Sequence, residues 1–242
     1  MNTIHHFGDS YGVIDYVDNK KVISNEGPLH FVEISANKLN KKYINYSVPG
    51  NSNEVILKNI IEKMNTFKKN DIVFIQFSYF CRGTWWNEIT QTIDNTNTLY
   101  DEQYDTKYFE RANNNKKLLS LVNYYLNYTE DYARRIFDII NVVIKQLITM
   151  EICVFFVHID DDIYVHPLLN SGYNIKFEKG FGNWLSLNKF HNEEEGHYTK
   201  EIQPILCKII LDKTKNFTNT NKNIYVDINV ENNINKKIKN LL

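Results

Sequence analysis

Two runs in this chain constrain its fold more than anything else. They are Asp71-Ile-Val-Phe-Ile-Gln-Phe-Ser78 and Ile152-Cys-Val-Phe-Phe-Val-His-Ile159. A strand with one face in water alternates apolar and polar residues. These runs do not alternate, so both faces must be covered, which is the position of an interior strand in a parallel sheet flanked by helices. The rest of the chain supplies the partners. Thr3–Phe7 and Tyr43–Val48 read as further strands. Phe31–Leu39 reads as a short amphipathic helix, and Ala133–Met150 as a longer one with Ile136, Phe137, Ile140, Val143, Ile144 and Leu147 on one face. Strands alternating with helices predict an α/β protein whose parallel sheet carries helices on both faces.

The remaining stretches give a coarser picture. Asn51 or Ser52 caps a helix, with Glu54 placed as in a capping box, and Val55, Ile56, Ile60, Ile61 and Met64 form its predicted apolar face. From Tyr79 to about Lys117 the periodicity is lost among aromatic and polar residues, so 79–117 reads as an aromatic-rich insertion with short helices. Leu118–Tyr128 reads as helical. Residues 163–190 read as loop, Glu193–Leu211 as the last helix, and Ile224–Val230 as a possible strand. One domain is expected over residues 1–213, with 214–242 as an Asn/Lys-rich tail.

Composition narrows the function classes. A net charge of -1 gives no ground for a nucleic-acid partner or an anionic surface. No run reaches the ~20 apolar residues of a membrane span, and the polar start lacks a signal segment, so a cytoplasmic location is expected. The three cysteines, Cys81, Cys153 and Cys207, have neither disulfide-framework nor zinc spacing and read as buried free thiols. No metal site and no cofactor are expected: His191 and His197 would not share a helical face, and there is no phosphate-cradling glycine loop.

In parallel sheets the site lies beyond the carboxyl ends of the strands. Those ends are Ser10, Gly50, Ser78 to Arg82, and His158 to Asp162. At the first stands Gly8-Asp9-Ser10-Tyr11-Gly12. Such a turn after a first strand can expose a serine hydroxyl, although Asp9 or Ser10 would serve equally well as an ordinary helix cap. A serine nucleophile needs a base. His5 and His6 lie on the first strand, so at most one faces any pocket. His30 and His166 read as solvated loop residues, and His158 as a core residue. His191 is the best candidate, in Phe190-His-Asn-Glu-Glu-Glu-Gly-His197, where Asn192 with Glu195 resembles a second capping box that would fix the backbone beside it.

Gly8-Asp9-Ser10 near the start, with His191 and Gly196-His197 before the last helix, resembles the SGNH (GDSL-type) hydrolases. That resemblance implies a three-layer α/β/α sandwich of flavodoxin-like order. It implies Ser10 as nucleophile, His191 as base, and the amides of Ser10 and Gly50 as oxyanion donors. Two departures stand out. The family's Gly-x-Asn-Asp block reads Ser78-Tyr-Phe-Cys-Arg82 here, which leaves Ser78 or Arg82 to replace the missing asparagine. The aspartate expected two or three residues before the histidine is Lys189 or Asn188. Asn188 could orient the imidazole, or Asp160, Asp161 or Asp162 could reach in. Asp9 and Asn188 therefore join Ser10 and His191 as catalytic candidates. Trp85, Trp86 and Asn51 are the substrate-binding candidates, with the indoles as stacking platforms for sugar rings.

The activity this implies is hydrolysis of acyl groups, in particular acetyl, from a glycan or a small-molecule ester. A glycan O-acetyltransferase using the same pair, and a non-catalytic glycan-binding module, are the alternatives. The sequence leaves the oligomeric state open.

Overall fold

The computed structural model describes residues 2–9, 16–17, 20–21, 30–48, 51–78, 84–87, 92–95, 135–158, 173–176, 181, 203–215 and 222–225. Six strands form one parallel sheet: β1 (Thr3–Phe7), β4 (Lys42–Asn45), β5 (Ile72–Phe77), β8 (Cys153–His158), β9 (Tyr173–Lys176) and β10 (Lys222–Tyr225). Their order across the sheet is β10-β9-β8-β5-β1-β4. In chain order this is 2-1-3-4-5-6, the flavodoxin-like winding, which reverses direction between β1 and β5. Two antiparallel pairs stand apart from the sheet: β2 (Tyr16–Val17) with β3 (Lys20–Lys21), and β6 (Thr84–Asn87) with β7 (Thr92–Asn95).

Both apolar runs are fully buried along their strands, and their side chains divide between two cores. Ile72 and Phe74 of β5, with Phe155 and Val157 of β8, pack against α1 (Phe31–Lys38) and α4 (Gln203–Lys215). Val73, Ile75, Phe77, Val154 and Phe156 pack on the opposite face, against α2 (Asn53–Lys63) and α3 (residues 135–149). The chain is thus a three-layer α/β/α sandwich around a parallel sheet. All six residues expected on the inner face of α3 are buried.

Several elements differ from expectation. The inner face of α2 is Asn53, Ile56, Leu57 and Ile60, a strict i, i+3, i+4, i+7 stripe, and Ile61 stands half exposed. Its cap is Ser52, one of the two residues expected there, whose Oγ accepts from Val55 N at 3.4 Å. Within 79–117 the described residues are the β6–β7 hairpin, not helices. The stretch read as loop supplies β9, whose Tyr-Asn-Ile-Lys is too short and polar to announce a strand. The last helix runs on to Lys215. The late strand is Lys222–Tyr225, shifted toward the N-terminus from Ile224–Val230. Leu118–Tyr128 lies outside the described residues.

Left-handed residues stop two elements. Glu151 (φ 59°) follows α3, and Ile152 N reaches back to Leu147 O at 3.1 Å. Asn40 (φ 51°) does the same for α1, with Lys41 N bonded to Ala36 O at 2.9 Å. These are Schellman closures that turn each helix directly into the next strand.

Candidate functional site

Because every strand in the sheet is parallel, the carboxyl ends of β1, β4, β5 and β8 share one rim. The winding reversal lies between β1 and β5, where such sheets open a crevice. Gly8 and Asp9 follow β1, and Ser78 follows β5. Asp9 is 0% exposed. Its Oδ2 accepts from Ser78 Oγ at 2.8 Å and its Oδ1 from Gln76 Nε2 at 3.3 Å. A carboxylate withdrawn from water survives only with such donors.

The start of α2 closes this knot from the side. Asn53 is also 0% exposed. Its Oδ1 accepts from Ser78 N at 2.7 Å and its Nδ2 donates to Ser78 O at 3.0 Å, so one side-chain amide pairs with both backbone groups of that residue. Asn51 Nδ2 donates to Gly8 O at 3.3 Å, and Val48 N donates to the same oxygen at 3.2 Å. The helix start thereby holds both strand ends. Gly8 leaves little room for a side chain: a Cβ there would stand 3.1 Å from Gln76 Cβ and 3.2 Å from Ser47 Oγ, so those neighbours would have to give by a few tenths of an ångström.

The expected site residues divide between those the structure describes and those outside the described residues. Asp9, Ser78 and Asn51 come together at the winding reversal. Asn51 is 3% exposed and bonded to Gly8 O. Ser78 spends its hydroxyl on Asp9 and its N–H on Asn53. Trp85 and Trp86 lie on β6, in register with Asp94 and Ile93 of β7. Ser10, Gly50, Arg82, Asn188 and His191 lie outside the described residues, as do Asp160, Asp161 and Asp162.

Sequence reasoning missed Gln76 and Asn53. The signal for Gln76 was present: it is the one amide in an apolar run, and a buried amide must find partners. Asn53 gave none, because an asparagine in a first helical turn is ordinary.

The described histidines are all buried, and His30 corrects an expectation. It is 1% exposed rather than solvated, and its Nδ1 accepts from Val32 N at 3.1 Å as the cap of α1. It packs 4.5 Å from His6, whose Nδ1 lies 3.1 Å from Tyr43 Oη. Burial, and then the neighbouring His30, lower the His6 pKa well below 6.5. His5 points to the other face, with Nε2 3.2 Å from Asp71 Oδ2. Burial lowers its pKa from 6.5, with Asp71 pulling in the opposite direction. His158 stacks on Phe77 at 4.9 Å, inside the α2–α3 core. A cavity of about 280 Å³ opens over Thr3, His5, Tyr46, Lys63 and Asp71. Thr3 and Asp71 stand at the amino ends of their strands, so this cavity lies away from the Asp9 rim.

No protein-family model matches the chain, and no curated protein matches it. Among solved structures it is similar to the psychrotrophic esterase EstA from Pseudoalteromonas sp., at 11% identity over 89% of this chain and 98% of that one, with a TM-score of 0.43. It is also similar to protein YXIM_BACsu from Bacillus subtilis, at 10% identity over 95% of this chain and 44% of that one, with a TM-score of 0.33. At those values neither similarity fixes a function.

Among the described residues no group of three or more His, Cys, Asp or Glu could hold a metal ion. No helix among them is long and apolar enough to cross a membrane. Cys153 and Cys207 are free, buried thiols, and burial raises the pKa of Cys153.

Proposed function

We propose that this protein is a serine ester hydrolase that removes acyl groups, acetyl among them, from a glycan or small-molecule ester. One observation carries most of the weight. The residue immediately before Ser10 is locked, fully buried, at the point where the sheet reverses its winding. A turn so fixed suits the presentation of the next side chain to a crevice on the rim.

In this mechanism His191 accepts the Ser10 hydroxyl proton as Oγ attacks the ester carbonyl. The amides of Ser10 and Gly50 and the Arg82 guanidinium hold the oxyanion. Ser78 is left out of that set because its donors are already engaged. The tetrahedral intermediate collapses, and the departing alcohol takes the proton back from His191. Water, deprotonated by the same imidazole, then releases the acid and restores Ser10. Asn188 orients the imidazole. Each oxyanion donor lowers the barrier by about 3–4 kcal/mol.

Ser10→Ala is expected to abolish turnover of p-nitrophenyl acetate and labelling by a fluorophosphonate, with the circular dichroism spectrum and melting curve unchanged. Equal turnover in both proteins would remove Ser10 from the mechanism. The absent family asparagine and aspartate favour a second possibility, a glycan-binding module without turnover. It requires that glycan binding survive Ser10→Ala and that neither protein cleave the ester. Acylated acceptor instead of free acid, when a sugar is added, would mark an O-acetyltransferase.

A further inference from the structure

A buried polar chain runs across the rim, each residue hydrogen-bonded to the next, and of its side-chain atoms only the Oε1 of Gln76, at its end, is left without a partner among the described residues. Asn53 fixes Ser78 through both of its backbone groups, at 2.7 and 3.0 Å. The Ser78 hydroxyl, with no freedom left in its backbone, donates to Asp9 at 2.8 Å. Gln76 donates to the other carboxylate oxygen at 3.3 Å. Asn53, Ser78, Gln76 and Asp9 are each 0% exposed. Buried polar side chains are costly unless hydrogen-bonded, and a hydrogen-bonded network of them rigidifies the structure around one geometry. A hydrophobic rim would hold the strands together as well.

We infer that Asn53, Ser78 and Gln76 are positioning residues that act through Asp9 to set the angle at which the following residue, Ser10, leaves the first strand. This rests on the esterase mechanism proposed above and deepens it. It assigns Asp9 no contact with substrate and no proton transfer. The carboxylate is a fixed acceptor that two donors from β5 and its end pull toward the neighbouring strand.

An indirect role and a direct oxyanion contact by Ser78 make opposite predictions in a double-mutant cycle. If Ser78 acts through Asp9, its hydroxyl matters only while the carboxylate is there to receive it. The cycle uses the full chain and four proteins: wild type, Ser78→Ala, Asp9→Asn and the double variant. Readouts are kcat and KM for p-nitrophenyl acetate, and the second-order rate of fluorophosphonate labelling.

The expected result is a 10- to 100-fold fall in kcat and in labelling rate for each single variant, with KM within about 3-fold. The double variant should be no more than about 3-fold slower than the worse single one, because coupled residues do not add. Ser78→Thr, which keeps the hydroxyl, should recover kcat to within about 5-fold of wild type. Gln76→Met, which keeps the length and loses the donor, should show the same coupling to Asp9→Asn. It also provides a second route if Ser78→Ala does not fold.

Multiplying losses in the double variant, or an unchanged kcat in Ser78→Ala and Gln76→Met, would overturn the positioning role while leaving the Ser10 mechanism intact. A wild-type protein with neither turnover nor labelling would instead overturn the Ser10 mechanism, and the positioning role with it.

Discussion

Asp71 offers the most searching test of how the sheet is held. It precedes β5, is 2% exposed, and its carboxylate ties three segments together. Oδ1 accepts from Thr3 N at 2.7 Å, and Oδ2 accepts from Lys68 N at 2.8 Å and lies 3.2 Å from His5 Nε2. Asp71→Ala leaves three donors without their acceptor. Hydrogen bonds to a charged group contribute about 1.5–3 kcal/mol each, but the Thr3 and Lys68 amides are partly open to water, which will replace part of the loss. Counting those two at about 1 kcal/mol each and the buried His5 at about 1.5–2 gives roughly 3.5–4 kcal/mol. For a chain of this size that corresponds to a fall in melting temperature of about 7–16 °C. Asp71→Asn keeps one acceptor oxygen and should cost about half as much. Urea denaturation followed by circular dichroism at pH 7 measures both. A loss below about 1 kcal/mol in Asp71→Ala, or equal losses in the two variants, would refute the clip.

Other perturbations follow from the same geometry. His5 and His6 have pKa values held below 6.5 in the fold, so the unfolded chain binds more protons once pH drops under that value. Stability should therefore be intact above pH 6.5 and fall as pH is lowered below it, by up to about 1.4 kcal/mol per unit per histidine. His6→Gln should flatten the urea midpoint plotted against pH between 6.5 and 5. Ile140→Ala empties a fully buried site in α3 and should cost about 2–5 kcal/mol in the same assay, whereas Ile61→Glu, on the exposed side of α2, should stay within about 0.5 kcal/mol. Glu151→Gly relieves a left-handed backbone at φ 59° and should raise the melting temperature slightly, less what the exposed Lys69–Glu151 pair contributes.

Sequence alone determined the layered architecture. Residues 72–77 and 153–158 are apolar on both faces, and a strand of that kind has no stable home except between two layers of helices. The inner face of α3 was legible for a related reason: its six buried side chains recur at helical period, a local property of the chain. Local signals failed where they were weak or shared. Four polar-rich residues became β9 because β8 and β10 lay on either side to pair with them. His30 looked like a loop residue just after the Gly27-Pro28 turn and is instead packed against His6, 24 positions away in the chain.

Only the tertiary structure decided the wiring of the rim. Asp9 lies 67 residues from Gln76 and 69 from Ser78, and Asn53 lies 25 from Ser78. Nothing in the sequence pairs them. Pattern fixes which face of an element is buried, because burial follows from the period of the side chains. Which buried polar group meets which depends on strand order and register, and these are settled only when the whole sheet closes.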